Sequence, residues 1–168
     1  MKMLRSRKNL RLKDFDYSQS GYYFVTICTK NRSKLLSNIV GDGFHAVPCH
    51  AIPTRIGDEI IKTINFIDNQ HSNVCFDKYI IMPNHIHLII ILQESKTGGH
   101  GNPPLHKIIG QLKSYTNKRY NDINKAKGSI LWQRNYFEHI IRSEHEYQEI
   151  WQYIEINPIE WKEDEYYC

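Results

Sequence analysis

The sequence predicts an α+β fold of the split βαβ, ferredoxin-like kind: one antiparallel sheet, two helices on one face, and a C-terminal tyrosine-bearing helix on the other. Three features lead there. The apolar pattern alternates between strand and helix periods in the order β-α-β-β-α-β. The stretch from His85 to Leu92 (HIHLIIIL) is apolar on both strand faces, so both faces of the sheet need cover. A further amphipathic helix follows the last strand and is the element free to supply the second cover.

Gly21 to Thr29 (GYYFVTICT) is rich in aromatic and β-branched residues and reads as a buried first strand. Residues 38–54 mix Gly and Pro breakers with short apolar runs, the pattern of a hairpin or an irregular excursion. Beyond a capping Thr54, Ile56, Ile60, Ile64 and Ile67 recur at helical spacing, with Asp58 and Glu59 in the first turn. Val74 to Met82 reads as a strand, Pro83-Asn84 as a break, and His85 to Leu92 as the next strand. After a loop (94–104), a second helix sets Leu105, Ile108, Ile109 and Leu112 on one face. Ile130 to Ile141 reads as the last strand, and Ser143 caps a terminal helix that Pro158 ends after Asn157. No repeat or linker divides the chain. Residues 1–168 are read as one domain with a basic arm (1–20) and an acidic tail (159–168).

The longest apolar run, Leu88 to Leu92, is far too short for a bilayer span, so no membrane partner is expected. The four cysteines show no CxxC spacing, which points to reduced thiols in a cytoplasmic protein rather than a zinc ribbon. The net charge of +4 is unevenly spread. Lys2, Arg5, Arg7, Lys8, Arg11 and Lys13 stand without an acid between them, while residues 155–168 carry five acids against Lys162. That asymmetry suits a basic arm for a polyanion and a solvated acidic tail. No GxxxxGK[ST] loop is present for a nucleoside triphosphate.

Successive strand residues point to opposite faces, so His85 and His87 share one face, roughly 7 Å apart along the strand, and their rings can converge on one cation. A His-x-His pair alone is more often structural than metal-binding; a third ligand is needed. On the terminal helix Tyr147, Ile150, Trp151 and Ile154 form the apolar stripe, with Tyr153 and Asn157 as neighbours on its edge. If that helix covers the histidine face, Tyr153 reaches the metal and Asn157 adds an oxygen. Glu146 and Glu149 are rival ligands on the same edge.

Four ordered blocks, GYYFVTICTKNR, YIIMPNHIHLIII, LWQRNYFEHIIR and YIEINPIEW, resemble the signature blocks of REP-associated tyrosine transposases, within the HUH single-tyrosine transposase superfamily. The resemblance implies the same ferredoxin-like sheet, His85 and His87 as metal ligands, Tyr153 as the nucleophile and Asn157 as the third ligand, where relatives often carry Gln. Glu149 and His139 stay open as alternatives to Asn157. The implied reaction cuts and rejoins single-stranded DNA near a hairpin through a 5′-phosphotyrosine intermediate. Its implied cofactor is a divalent metal, Mg²⁺, with Mn²⁺ able to substitute because imidazole suits the later ion. Arg7, Lys8, Arg11, Lys113, Lys118 and Arg119 would grip DNA phosphates. Relatives include both monomers and homodimers that exchange the tyrosine helix. A non-catalytic single-stranded nucleic-acid module, an HUH replication initiator or relaxase, and a metal-independent RNA endonuclease are the competing readings.

Overall fold

The computed structural model describes residues 19–41, 49–94 and 104–167. Four strands form the main sheet: β1 (Gly21–Cys28), β4 (Val74–Ile81), β5 (His85–Leu92) and β6 (Phe137–Ile141), in the order β4-β5-β1-β6 with every pair antiparallel. Two helices, α1 (Arg55–Gln70) and α2 (Leu105–Asn124), connect them, and α3 (Glu144–Ile156) follows β6. The order and connections are those of the predicted split βαβ fold. The excursion is a hairpin, with β2 (Ser37–Val40) pairing β3 (His50–Pro53).

Strand alternation divides the core as expected. Ile86, Leu88, Ile90 and Leu92 of β5 pack with Ile60, Ile64 and Ile67 of α1 and Leu105, Ile108, Ile109 and Leu112 of α2. On the other face Phe24, Ile89 and Ile141 meet Ile150 and Ile154 of α3. His85 and His87 belong to this second face. Trp151 departs from the expected stripe: it is 37% exposed, with the Lys78 ammonium 3.9 Å above its ring. A bulge in β4 between Phe76 and Lys78 accompanies a second tie to α3, in which the Tyr147 hydroxyl donates to Asp77 at 2.6 Å.

The last strand is shorter than its apolar pattern suggested. Residues 129–134 are claimed by α2 instead: Asn117 and Asn121 side chains bond the backbone of Ser129 and Leu131, and Lys113 Nζ donates to the carbonyls of Gln133 and Arg134. Trp132 keeps a single bridge to Thr29, and its indole N–H donates to Thr116. The tail also differs from the solvated segment expected. Trp161 is buried and residues 161–167 fold back over the histidine face.

One glycine sets how the hairpin meets α1. A Cβ on Gly57 would fall 2.2 Å from the Leu36 carbonyl oxygen and 2.9 Å from Pro53 Cβ. Both the carbonyl and the proline ring are held in place, because Thr54 donates to the Leu35 and Leu36 carbonyls through its hydroxyl and to Leu36 through its backbone. Gly57→Ala is therefore expected to destabilise the fold by about 1–3 kcal/mol or more, read as a lowered urea midpoint with an unchanged slope.

Candidate active site

The His-x-His pair opens β5 directly after the Pro83-Asn84 break, which places it at one end of the sheet with Thr26 and Cys28 of β1 opposite. Both imidazoles are buried. Their Nε2 atoms approach to 3.0 Å, so the rings converge on one point as the strand alternation required. Each Nδ1 has its own partner at 2.8 Å, Asn84 Oδ1 for His85 and Thr26 Oγ1 for His87. Burial holds both rings far toward the neutral form: His87 is pushed down to about 3, and His85 falls well below its usual value with further help from His87 and Arg32. Neutral imidazoles are the form that binds metals.

From α3, Tyr153 hangs over the pair. Its hydroxyl lies 3.3 Å from His87 Nε2 and 3.4 Å from Asp164 Oδ2, at the outer edge of hydrogen-bond range. Phe24 fills the space beneath, stacked on His87 and edge-on to Tyr153. Burial, followed by the negative charge of Asp164, raises the Tyr153 phenol well above its ordinary value. Asn157, one turn on, is also buried. Its Nδ2 donates to Asp164 Oδ2 at 2.6 Å, while its Oδ1 is enclosed without a hydrogen-bond partner.

Asp164 is the residue that the sequence pattern did not single out. It comes from the folded-back tail, and its carboxylate lies with the ring nitrogens of His85 and His87 in a group whose ligand atoms are all within 4.8 Å of one another. Two imidazole nitrogens, a carboxylate and an orphaned buried amide oxygen make a donor set that fits a divalent cation such as Mn²⁺ or Mg²⁺. Aromatic residues interleaved with the tail acids, Trp161, Tyr166 and Tyr167, are the signal that this segment packs. The Tyr166 ring lies 4.6 Å from that of His85, and the Arg32 guanidinium lies 5.4 Å from the Tyr166 ring centre while donating to the Glu165 carbonyl.

A family profile described as "Transposase IS200 like" matches residues 17–157, from before β1 through the histidine pair to Asn157. The chain belongs to the IS200-like transposase family. An uncharacterised protein of Haemophilus influenzae is 32% identical over 179 residues, covering 98% of this chain and 94% of that one. The solved structure of a REP-associated tyrosine transposase bound to a REP hairpin has the same fold, with a TM-score of 0.58 at 21% identity over 84% of this chain and 68% of that one. Among the described residues of this IS200-like transposase, no helix is long and apolar enough to cross a membrane.

The rival residues are engaged elsewhere. Glu146 accepts from His139 Nε2 at 2.6 Å and from the Arg142 amide, so these two satisfy each other at the edge of α3. Glu149 sits 3.9 Å from His145 on the exposed side. Tyr147 donates to Asp77, whose carboxylate pushes the phenol up to about 12. Tyr136 packs with the core on the α1/α2 side of the sheet. Of the residues expected to grip DNA, Arg7, Lys8 and Arg11 lie outside the described residues. Lys113 is half-buried and spent on two carbonyls; Lys118 and Arg119 are exposed on α2, with Arg119 3.6 Å from Glu59.

Proposed function

We propose that this IS200-like transposase cuts and rejoins single-stranded DNA beside a hairpin by transesterification on Tyr153. The observation that supports this best is the Tyr153 hydroxyl 3.3 Å from His87 Nε2, within one chain, over a buried pair of converging imidazoles. His85 Nε2, His87 Nε2 and the Asp164 carboxylate would hold a divalent ion, and the partnerless Asn157 Oδ1, on the amide bonded to Asp164, would be the further oxygen donor. When bound, that ion (Mg²⁺, or Mn²⁺ in its place) polarises the scissile phosphate and offsets the charge that develops on it.

Tyr153 Oη attacks the phosphorus in line, the bond to the 3′ oxygen breaks, and the 5′ phosphate stays on the phenol while a 3′-hydroxyl leaves. A raised phenol makes a poor nucleophile until its proton has somewhere to go. The Asp164 carboxylate, 3.4 Å from the hydroxyl, is the acceptor within reach, through an oxygen that the ion leaves free. The phosphotyrosyl bond conserves the free energy of the broken one, so a second 3′-hydroxyl can reverse the step and join strands without a nucleoside triphosphate. Because one chain supplies the histidines and the tyrosine, this reading has α3 acting in cis. Arg7, Lys8, Arg11, Lys118 and Arg119 hold the polyanion in the same reading. So do Lys30 and Lys34, exposed on the loop whose Thr29 amide bonds the Asn84 carbonyl beside His85.

The test is a labelled single-stranded hairpin oligonucleotide incubated with the full-length protein and Mn²⁺ or Mg²⁺. A denaturation-resistant protein–DNA adduct that disappears in EDTA is expected. No adduct under either ion overturns the proposal, and cleavage that persists in EDTA favours a metal-independent nuclease.

A further inference from the structure

The hydrogen bonds behind the two histidines specify where their protons sit. Asn84 Nδ2 donates to the Tyr166 carbonyl at 2.8 Å, so the side of the amide turned toward His85 is its oxygen, 2.8 Å from Nδ1. A carbonyl oxygen only accepts. His85 must therefore carry its proton on Nδ1, which leaves Nε2 as a bare acceptor. The His87 Nε2 atom 3.0 Å away faces that lone pair, and in a neutral, buried pair it has to be the donor. His87 Nδ1 is then unprotonated, and the Thr26 hydroxyl at 2.8 Å donates to it. The chain Thr26→His87→His85→Asn84 satisfies every imidazole nitrogen without burying a charge.

A cation needs both Nε2 lone pairs, so the His87 proton must leave Nε2 and reappear on Nδ1. A hydroxyl at position 26 tolerates this exchange because it both donates and accepts. When His87 Nδ1–H donates to Thr26 Oγ1, the Thr26 hydroxyl rotates to turn its own proton away from the ring. The ring stays neutral before and after, and no net proton is released.

We propose that Asn84 and Thr26 are positioning residues that set this proton arrangement: Asn84 locks His85 with Nδ1 protonated, and Thr26 lets His87 switch its proton from Nε2 to Nδ1 when a metal ion binds. The switch rests on the metal reading above; the resting arrangement does not. Strand register supplies the pairing, since Thr26 stands opposite His87 across the β1–β5 ladder.

The test uses the full chain labelled with ¹⁵N-histidine. In the metal-free protein, NMR should show His85 as the Nδ1–H tautomer and His87 as the Nε2–H tautomer; added Zn²⁺, a diamagnetic probe, should move His87 to Nδ1–H. Mn²⁺ titrated by electron paramagnetic resonance should bind Thr26→Val about 10–100-fold more weakly than the parent, with Thr26→Ser restoring most of the affinity. A metal-free His87 already protonated on Nδ1 overturns the proposal, as does a folded Thr26→Val with parental Mn²⁺ affinity. If Thr26→Val does not fold, the parent and Thr26→Ser spectra decide. A parent chain that binds neither ion overturns the metal reading and the switch together, while the metal-free spectrum still judges the resting tautomers.

Discussion

Tyr153→Phe is expected to lower formation of the covalent DNA adduct by about a thousandfold or more, because the substitution removes the only atom that can carry the phosphate at this position. Folding should survive it. The ring keeps its edge-on packing against Phe24 and its place beside Ile150 and Ile154. The hydroxyl's two hydrogen bonds are long, at 3.3 and 3.4 Å, so removing them should change stability by no more than about 1 kcal/mol. A thermal melt beside the gel assay separates the two effects: adduct gone and melting temperature nearly unchanged is the expected pair of results. Undiminished adduct would move the nucleophile to another phenol.

His87→Ala has a different profile, since it attacks the ion rather than the nucleophile. It removes one of two imidazole ligands, and Mn²⁺ affinity is expected to fall by at least about 100-fold with adduct formation falling alongside. This substitution also empties a buried site stacked on Phe24, at a cost of about 2–4 kcal/mol. His87→Gln fills more of that space and serves as the control for folding. Binding measured by paramagnetic resonance, with a melt of each variant, checks both. Parental Mn²⁺ affinity in a folded His87→Ala, which has no donor atom to offer, would place the ion elsewhere.

Much of the site was legible in the sequence because it depends on period-two alternation. Strand geometry alone puts His85 and His87 on one face with Ile89, and the structure pairs that face with α3. Tyr153 and Asn157 followed from their four-residue spacing on an amphipathic helix, whose buried pair is Ile150 and Ile154. Asp164 was not legible, because an acid-rich terminus reads as solvated when its charges are counted and its aromatics are not. Trp161 and Tyr166 are what fold it back, through ring packing on His85 that leaves no periodic trace. The shortened β6 has a similar cause. Residues 129–134 are apolar enough for a strand, but Asn117, Asn121 and Lys113 of α2 take their backbone groups first. Lys113, expected to grip DNA, is thereby committed to the fold.

The proposed chemistry stands on one phenol lying above one cation site. Trapping the adduct on the unmodified chain, digesting it, and locating the nucleotide-bearing peptide by mass spectrometry tests that directly. The expected product carries a 5′-phosphate on Tyr153; a phosphate found on Tyr136, Tyr147 or Tyr166 would contradict the account.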